Sequence, residues 1–535
     1  MKPEPACRDY LARMKRRPAD ASMVWSFAAG FPPASRKSTL PVGLTVGALV
    51  PAGILTALMY PAPSDAQQTG SLTNSASQNS AQASMANSIN TVCPNLDARA
   101  TAPDRTVAES QLNAVCANMV FNGGGTVPLP DGTQVNVPGF QLSQEELNAA
   151  TQRINGEEVQ AMQQQVGDVR ATQVANITAR MEAIRAGLAT PGLSFAGLSL
   201  DGGEQILTAG YEDDAVAPEV DSLVGEDGTL SAPVWDKLGV FVTGGGSFGD
   251  KSNSGKVTGY DFYTVGLTTG VDYRLRDDFV VGGAVGYSYY KVDFNDNQNN
   301  ASDQDLDSNS VIFSFFGTYF PNKDSLIPLQ GLFLDGLASF GWSFFDMSRH
   351  IIVPSNNAAV PTIDEKANSD TTAFQYQFAG NLGYEFNIRQ FTITPVARAQ
   401  YVKADVGSYE ESGASPLNLK VGSQDATSLT TNLGASLGYA FSTQYGVLEP
   451  TIRAEYVHEF KNDDNGARIR YASDPTGTSA FNVITEGSNS NYAILGAALT
   501  GTLAGGWSAF TDFQTFVGLG HFDIYTFRAG FRKEF

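Results

Sequence analysis

Histidine is almost missing from this chain of 535 residues. Three occur, His350, His458 and His521, all in the C-terminal half. Residues 67–236 contain none, which excludes Ser-His-Asp and Cys-His catalysis and His-ligated zinc from that stretch. Basic residues are scarce too, with 34 Lys and Arg against 55 Asp and Glu, a net charge of −21. With no basic stripe to neutralise phosphates, a nucleic-acid partner is excluded. The acidic excess reads as surface loops. Mean hydropathy is −0.15, which does not suit a bundle of membrane helices but does suit strands that show one face to lipid and one to water. No cofactor motif survives inspection, as argued below.

The main basic cluster opens the chain: Lys2, Arg8, Arg13, Lys15, Arg16, Arg17, Arg36 and Lys37 precede an apolar run from Val42 to Met59. Ser64 and Ala66 then supply the small residues a signal peptidase reads, so residues 1–66 are expected to be a secretory signal cut after Ala66. An inner-membrane anchor is the alternative, weakened by Pro51 and several glycines. Cys7 would leave with the signal. The remaining pair, Cys93 and Cys116, is most simply a disulfide in an exported protein, the alternative being two buried free thiols.

What the sequence has in abundance is alternation, with 54 Gly and 10% aromatic residues. Phe374, Tyr376, Phe378, Leu382, Tyr384 and Phe386 alternate with Gln375, Gln377, Asn381 and Glu385. Leu429 to Phe441 repeats the pattern, broken on its apolar face by Thr431 alone. Twelve such segments follow one another: 238–248, 260–276, 278–294, 308–320, 331–347, 371–387, 390–406, 427–442, 447–461, 491–504, 507–517 and 521–535. Their wet face is rich in Gly, Ser, Asn and Gln. The expected fold is mainly β, a twelve-stranded antiparallel transmembrane barrel with lipid outside and a polar lumen. Residues 295–307, 351–370 and 462–490 are expected to be long polar loops, alternating with tight turns at 276–277 and 389–390.

Upstream, residues 67–86 are a Ser, Gln, Asn and Ala tract expected to be a disordered leader. Residues 87–190 should form a mainly helical region closed by the disulfide. Within it, Ser143 and Glu146 make a capping box ahead of a single long helix to Leu188, whose stripe of Val159, Met162, Val166, Val169, Ile177, Met181, Ile184 and Leu188 should dock on its own chain, the alternative being a coiled-coil seam for self-association. Residues 191–237, Gly-rich and then acidic, read as a linker into the barrel at 238–535.

Particular residues in that barrel make it familiar. Gly259 to Leu267 (GYDFYTVGL) with Gly270 to Leu275 (GVDYRL), Thr394 to Tyr401 (TPVARAQY), Glu410 to Gly413, and Glu449-Pro450 leading to His458-Glu459-Phe460 closely resemble, in order, parts of the autotransporter (type V secretion) β-domain. The resemblance implies an outer-membrane barrel of a Gram-negative bacterium with a segment threading its lumen and an exported passenger upstream. It also implies passage through the secretory translocon, insertion by the barrel assembly machinery, and contact with outer-membrane lipid and lipopolysaccharide. Tyr525, Phe527, Phe531 and Phe535 resemble the terminal assembly signal, from which Lys533 departs. Arg398, Glu449, Arg453, Glu455 and Glu459 are candidate lumen charges for gripping the threading segment. The region upstream is too short and too helical for the family's usual β-helical passenger, so its surface ligand is unknown.

Two local motifs have bland explanations. Gly244-x-Gly246-x-x-Gly249 satisfies a dinucleotide pattern but has no helix after it. Asp303-x-Asp305-x-Asp307 opens like a calcium loop, yet Ser308 and Ser314 stand where Gly and Glu are needed, leaving a solvated acidic loop as the expectation. No Asn lies between Pro191 and Lys237, so an Asn-Asn cleavage pair is absent and the passenger is expected to stay attached. The function expected is non-enzymatic: translocation and display of the short N-terminal region. A structural or pore-type barrel with a plugged or periplasmic helix, and a surface adhesin, are the alternatives.

Overall fold

Period-two alternation puts every second side chain on the same face of a strand, and the structure follows it closely. A computed structural model describes residues 72, 79–156, 158–185, 192–195, 198–200, 238–255, 258–294, 304–323, 325, 328–444, 446–462, 466–483, 489–503 and 507–533. Among them are twelve barrel strands: β1 (Leu238–Lys251), β2 (Tyr260–Arg276), β3 (Phe279–Phe294), β4 (Asp305–Tyr319), β5 (Leu332–Val353), β6 (Ile363–Tyr384), β7 (Phe391–Val406), β8 (Gln424–Tyr439), β9 (Gly446–Asn462), β10 (Asn491–Leu503), β11 (Trp507–Val517) and β12 (Phe522–Lys533). Each pairs antiparallel with its neighbours in sequence. β12 closes the ring on β1, from Phe522 opposite Lys251 to Arg528 opposite Gly245.

The two faces separate as the alternation requires. On β6, Phe374, Phe378 and Leu382 point outward and are exposed, whereas Gln375 and Gln377 point inward and are each 1% exposed. Around the barrel, Leu267, Val271, Phe315, Phe344, Leu433, Ile452, Leu495 and Phe527 continue the outer apolar surface. In water such a surface would drive aggregation; around a transmembrane barrel it is the lipid band. The inner face carries Thr264, Thr268, Ser288, Ser308, Ser310, Ser314, Ser339 and Ser343, all buried.

Among the described residues, four helices precede the barrel: α1 (Ser80–Ala98), α2 (Val107–Val120), α3 (Gln144–Arg153) and α4 (Glu158–Arg185). The first begins earlier than the expected leader boundary, because Asn79 and Gln82 form a reciprocal capping box and Ala81, Met85 and Ala86 are buried. Cys93 and Cys116 join α1 to α2, with Cα atoms 5.7 Å apart. A short hairpin, Gly125–Pro128 with Gln134–Val137, follows α2. The expected single helix from Ser143 to Leu188 is two helices. Ile154 caps α3, and Gly156 adopts φ 71°, a left-handed conformation that ends a helix cheaply only at glycine. The expected Ser143–Glu146 box is present, its Glu146 carboxylate accepting the Ser143 N–H at 2.8 Å.

Two loop expectations also change. Residues 351–370 are largely strand, since β5 and β6 stay in register from Ile363 opposite Val353 to Tyr384 opposite Leu332, with Ile351, Val353 and Ala367 buried. Asp305 and Asp307 open β4 rather than sitting in a loop, and pair in register with Asp293 and Lys291. Their polar side chains suit the outer rim, where alternation no longer separates lipid from water. Within residues 191–237, Gly192–Phe195 pairs parallel with Gly239–Val242 of β1, and Leu198–Leu200 pairs with it in turn.

At the end of the barrel bearing the long loops, the helices and the loops share one core. The loops contribute a small antiparallel sheet, Tyr409–Glu410, Leu419–Val421, Ala467–Tyr471 and Phe481–Val483. Met85, Ile89, Leu96, Leu112 and Phe140 from the helical region cluster with Leu419, Ile469 and Tyr471 of that sheet and with Tyr260, Tyr290 and Phe345 of the barrel wall. Each such side chain contributes about 1.5–3 kcal/mol by leaving water, so this cap is fastened to the barrel by burial. Polar contacts fix its register. Arg349 of β5 donates to both carboxylate oxygens of Glu411, to the Arg153 carbonyl at the end of α3 and to the Leu417 carbonyl. Asn356 bonds Phe140, Gln141 and Glu146.

Candidate functional site in the barrel lumen

The lumen is occupied by α4. Its N-terminal end lies in the cap core, where Val159 and Met162 are buried. Its C-terminal end reaches the tight-turn end of the ring, where Arg185 meets Asp335. The apolar stripe expected from the sequence divides accordingly. Of that stripe, Ile177, Met181 and Ile184, joined by Val174, pack on Phe241, Val280, Ala284, Phe316 and Leu337 of the inner wall, while Leu188 and the side chains of Val166 and Val169 lie outside the described residues. The helix thus docks on its own barrel.

Most of the remaining contacts are polar, because a barrel's inward face is polar by construction. Gln165 donates to the hydroxyls of Ser308 and Ser310, and Gln173 donates to Ser314 while accepting from Thr268. Asn176 also bonds Thr268. Two ion pairs secure the lower half. Arg180 meets Asp272 at 2.7 Å with both side chains at least nine-tenths buried, and Arg185 meets Asp335 at 2.6 Å. The Arg180 guanidinium also lies 5.1 Å from the centre of the Phe241 ring. Arg528 of β12 donates to the Ala175 carbonyl of the helix and to Asp512. Glycine makes room at the tightest place: a Cβ on Gly239 would stand 2.5 Å from Asp272 and 2.6 Å from Arg180.

The candidate lumen charges are on the inner wall, across from the helix-bearing strands. Arg398 lies 3.8 Å from Glu455 and bonds Asn381, Glu455 accepts from Asn432, and Arg453 reaches Asp512 and Gln514. Glu459 accepts from Ser428, and Glu449 lies over Gly438. In these contacts wall pairs with wall. The groups that meet the helix, Asp272, Asp335 and Arg528, were passed over in the sequence. Their signal was slight: Asp272 and Asp335 are each the one carboxylate on the inward face of their strand, and Arg180 and Arg185 are the matching cations near the end of α4.

Tyr525 and Phe527 face outward against Phe248 and Phe513. The Phe531 side chain and Phe535 lie outside the described residues, as do Ser64 and Ala66. Gly244, Gly246 and Gly249 fall inside β1. Among the described residues no group of three His, Cys, Asp or Glu side chains is placed to hold a metal ion.

Comparison with known proteins agrees with this geometry. A family model described as the autotransporter beta-domain matches residues 240–514, slightly more than half of the chain. Outer membrane protein A of Rickettsia conorii is 26% identical over 234 residues, 42% of this chain and 11% of that protein. Esterase EstA of Pseudomonas aeruginosa is 26% identical over 240 residues, 43% of this chain and 33% of the esterase. The chain therefore spans a third or less of the length of these relatives. Among solved structures, the translocator domain of autotransporter NalP from Neisseria meningitidis is 16% identical, covering 56% of this chain and 88% of that one with a TM-score of 0.40.

Proposed function

Because the chain belongs to the autotransporter beta-domain family, we propose that its barrel carries the part of residues 67–190 that lies ahead of α4 across the outer membrane and holds it at the cell surface, with α4 left in the lumen. The course of the chain through the ring supports this reading most directly. It descends from the cap at the long-loop end, through the lumen as α4, to the tight-turn end where β1 begins. In outer-membrane barrels the long loops face outward and the tight turns face the periplasm, so the cap is the exported part. Folding of the cap and barrel supplies the driving force, with no bound nucleotide.

Secretion would begin at a signal cut after Ala66 and end with insertion by the barrel assembly machinery, reading Tyr525, Phe527, Phe531 and Phe535. The exported part stays attached, since no Asn lies between Pro191 and Lys237, and acts without His-dependent catalysis, since residues 67–236 lack histidine. The esterase activity named for the Pseudomonas relative is not carried over to a region without that residue. The shared core favours a fixed cap over a freely extended adhesin.

An epitope tag after Ser75, probed on intact cells with antibody and added protease, tests the proposal. Labelling and cleavage without opening the outer membrane are expected. Protection until that membrane is opened would overturn it.

A further inference from the structure

The closing seam of the barrel is two ladders, one above the other. At the long-loop end β12 pairs with β1, from Phe522 opposite Lys251 to Arg528 opposite Gly245. Below Gly245 that pairing stops. The same edge of β1 is taken there by the linker, whose Gly192–Phe195 runs parallel to it, Gly192 opposite Gly239 and Phe195 opposite Val242. The other edge of β1 is held by β2 from end to end. The linker then turns back, so that Leu198–Leu200 pairs antiparallel with Gly192–Phe195 and lies beside β12. β12 continues past this fork, with Ala529 to Lys533 still paired to Thr511 to Trp507 of β11. Among the described residues no ladder joins Leu198–Leu200 to that part of β12.

The fork lies at the level of the apolar band, since Val240 pairs with Val271, which is exposed on the outer face. Hydrocarbon offers no partner to a bare strand edge, and each unpaired backbone group there is costly. A parallel ladder is also slightly the weaker kind. Continuing the β12–β1 register past Arg528 sets Phe531 opposite Val242, Arg532 opposite Phe241 and Lys533 opposite Val240. Those are the places that Phe195, Ser194 and Leu193 hold. A backbone N–H or C=O of β1 that points at the seam can serve one of these neighbours, not both.

We infer that the linker hairpin and the end of β12 compete for one edge of β1, so that the seam has a forked state and a closed state, and that a bilayer drives it closed. The fork puts two extra strands into the wall at the tight-turn end, about 10 Å of circumference at the usual strand spacing. Closing therefore narrows the bore around the end of α4, whose last residue, Arg185, shortly precedes the hairpin. A wide lower bore suits passage of the chain; a narrow one suits its retention. Both states are open to the barrel whichever side of the membrane holds the cap.

The test uses cysteine pairs in the full chain, oxidised with copper phenanthroline in maltoside micelles and in phosphatidylethanolamine–phosphatidylglycerol vesicles, the joined peptides being identified by mass spectrometry. Directly opposed strand residues lie within disulfide range. L193C with V240C reports the fork, V240C with K533C reports closure, and F248C with Y525C reports the ladder common to both. Both variable links are expected in micelles, and in vesicles the 240–533 link should gain several-fold at the expense of the 193–240 link. The common link should be unchanged. S194P, which removes a backbone donor from the linker strand and leaves the sequence of every barrel strand as it is, should shift the yields toward the 240–533 link in both media. Failure of either variable link in both media, equal yields in micelles and vesicles, no response to S194P, or loss of the common link would each overturn the inference.

Discussion

Arg180 and Asp272 lie 2.7 Å apart, one on the helix inside the ring and the other on the wall that surrounds it, and both are shielded from water. Asp272→Ala leaves a buried guanidinium without its carboxylate, a change that costs about 3–5 kcal/mol when the partner cannot leave. Here the helix end can move, so the expected result is a loosened α4 with the barrel intact. Single-channel recording in planar bilayers should show more frequent and longer open events for the variant. A quiet trace matching that of the native chain would contradict this role.

The Arg349–Glu411 contact is the corresponding fastening at the other end of the lumen. Glu411 also accepts the Leu419 N–H, so Glu411→Ala removes a partner from the guanidinium and from the loop sheet at once. Destabilisation of about 3 kcal/mol or more is expected in the cap. Hydrogen exchange should quicken in residues 409–421 and in α3, while the strand cores of β7 and β8 stay protected.

Cys93→Ser should release the α1–α2 pair. A loop of this size gives a disulfide contribution of about 2–4 kcal/mol, and the serine hydroxyl left in the apolar core that Cys93 and Cys116 share adds to the loss. Limited proteolysis should cut residues 79–122 faster in the variant and leave the barrel fragment unchanged.

Acid should weaken the seat of α3. The Ser143 backbone N–H, above all, holds the Glu146 carboxyl below the usual range, with smaller help from the Ser143 side chain and Asn356. A carboxylate depressed in the folded state contributes stability that is fully present above its ordinary value of about 4.3 and is lost as pH falls through the lower folded value. Amide protection of α3 should therefore fall as pH drops below the ordinary value of about 4.3 and through the lower folded value. Glu146→Gln, which can still bond the Ser143 N–H but does not titrate, should flatten that part of the profile.

The barrel was legible because each strand repeats one rule for many residues. Phe374 to Phe386 announces its two faces without any knowledge of its neighbours, and the same rule locates all twelve strands. The errors came where a local preference gave way to a partner far along the chain. Residues 363–370 read as a polar loop until Val353 and Ile351 supply the strand beside them. Gly156 was passed over inside a convincing helical stripe, although Asn155-Gly156 is a natural stop. The inward carboxylates Asp272 and Asp335 had no visible purpose until α4 brought Arg180 and Arg185 to them. A pattern in sequence reports which face is wet; it does not report what else will occupy the wet side.

The threaded helix makes the molecule a mechanical interlock. The barrel is a ring, α4 is its axle, and the disulfide-closed cap, which shares a core with the loops at one end of the ring, is a stopper. Pulling on the axle from the tight-turn side must either unfold the stopper or break the ring, and no sliding path avoids both. Assembly consequently has an order imposed by shape: either the ring closes around the axle at the β12–β1 seam or the stopper takes its final form after the axle is in place.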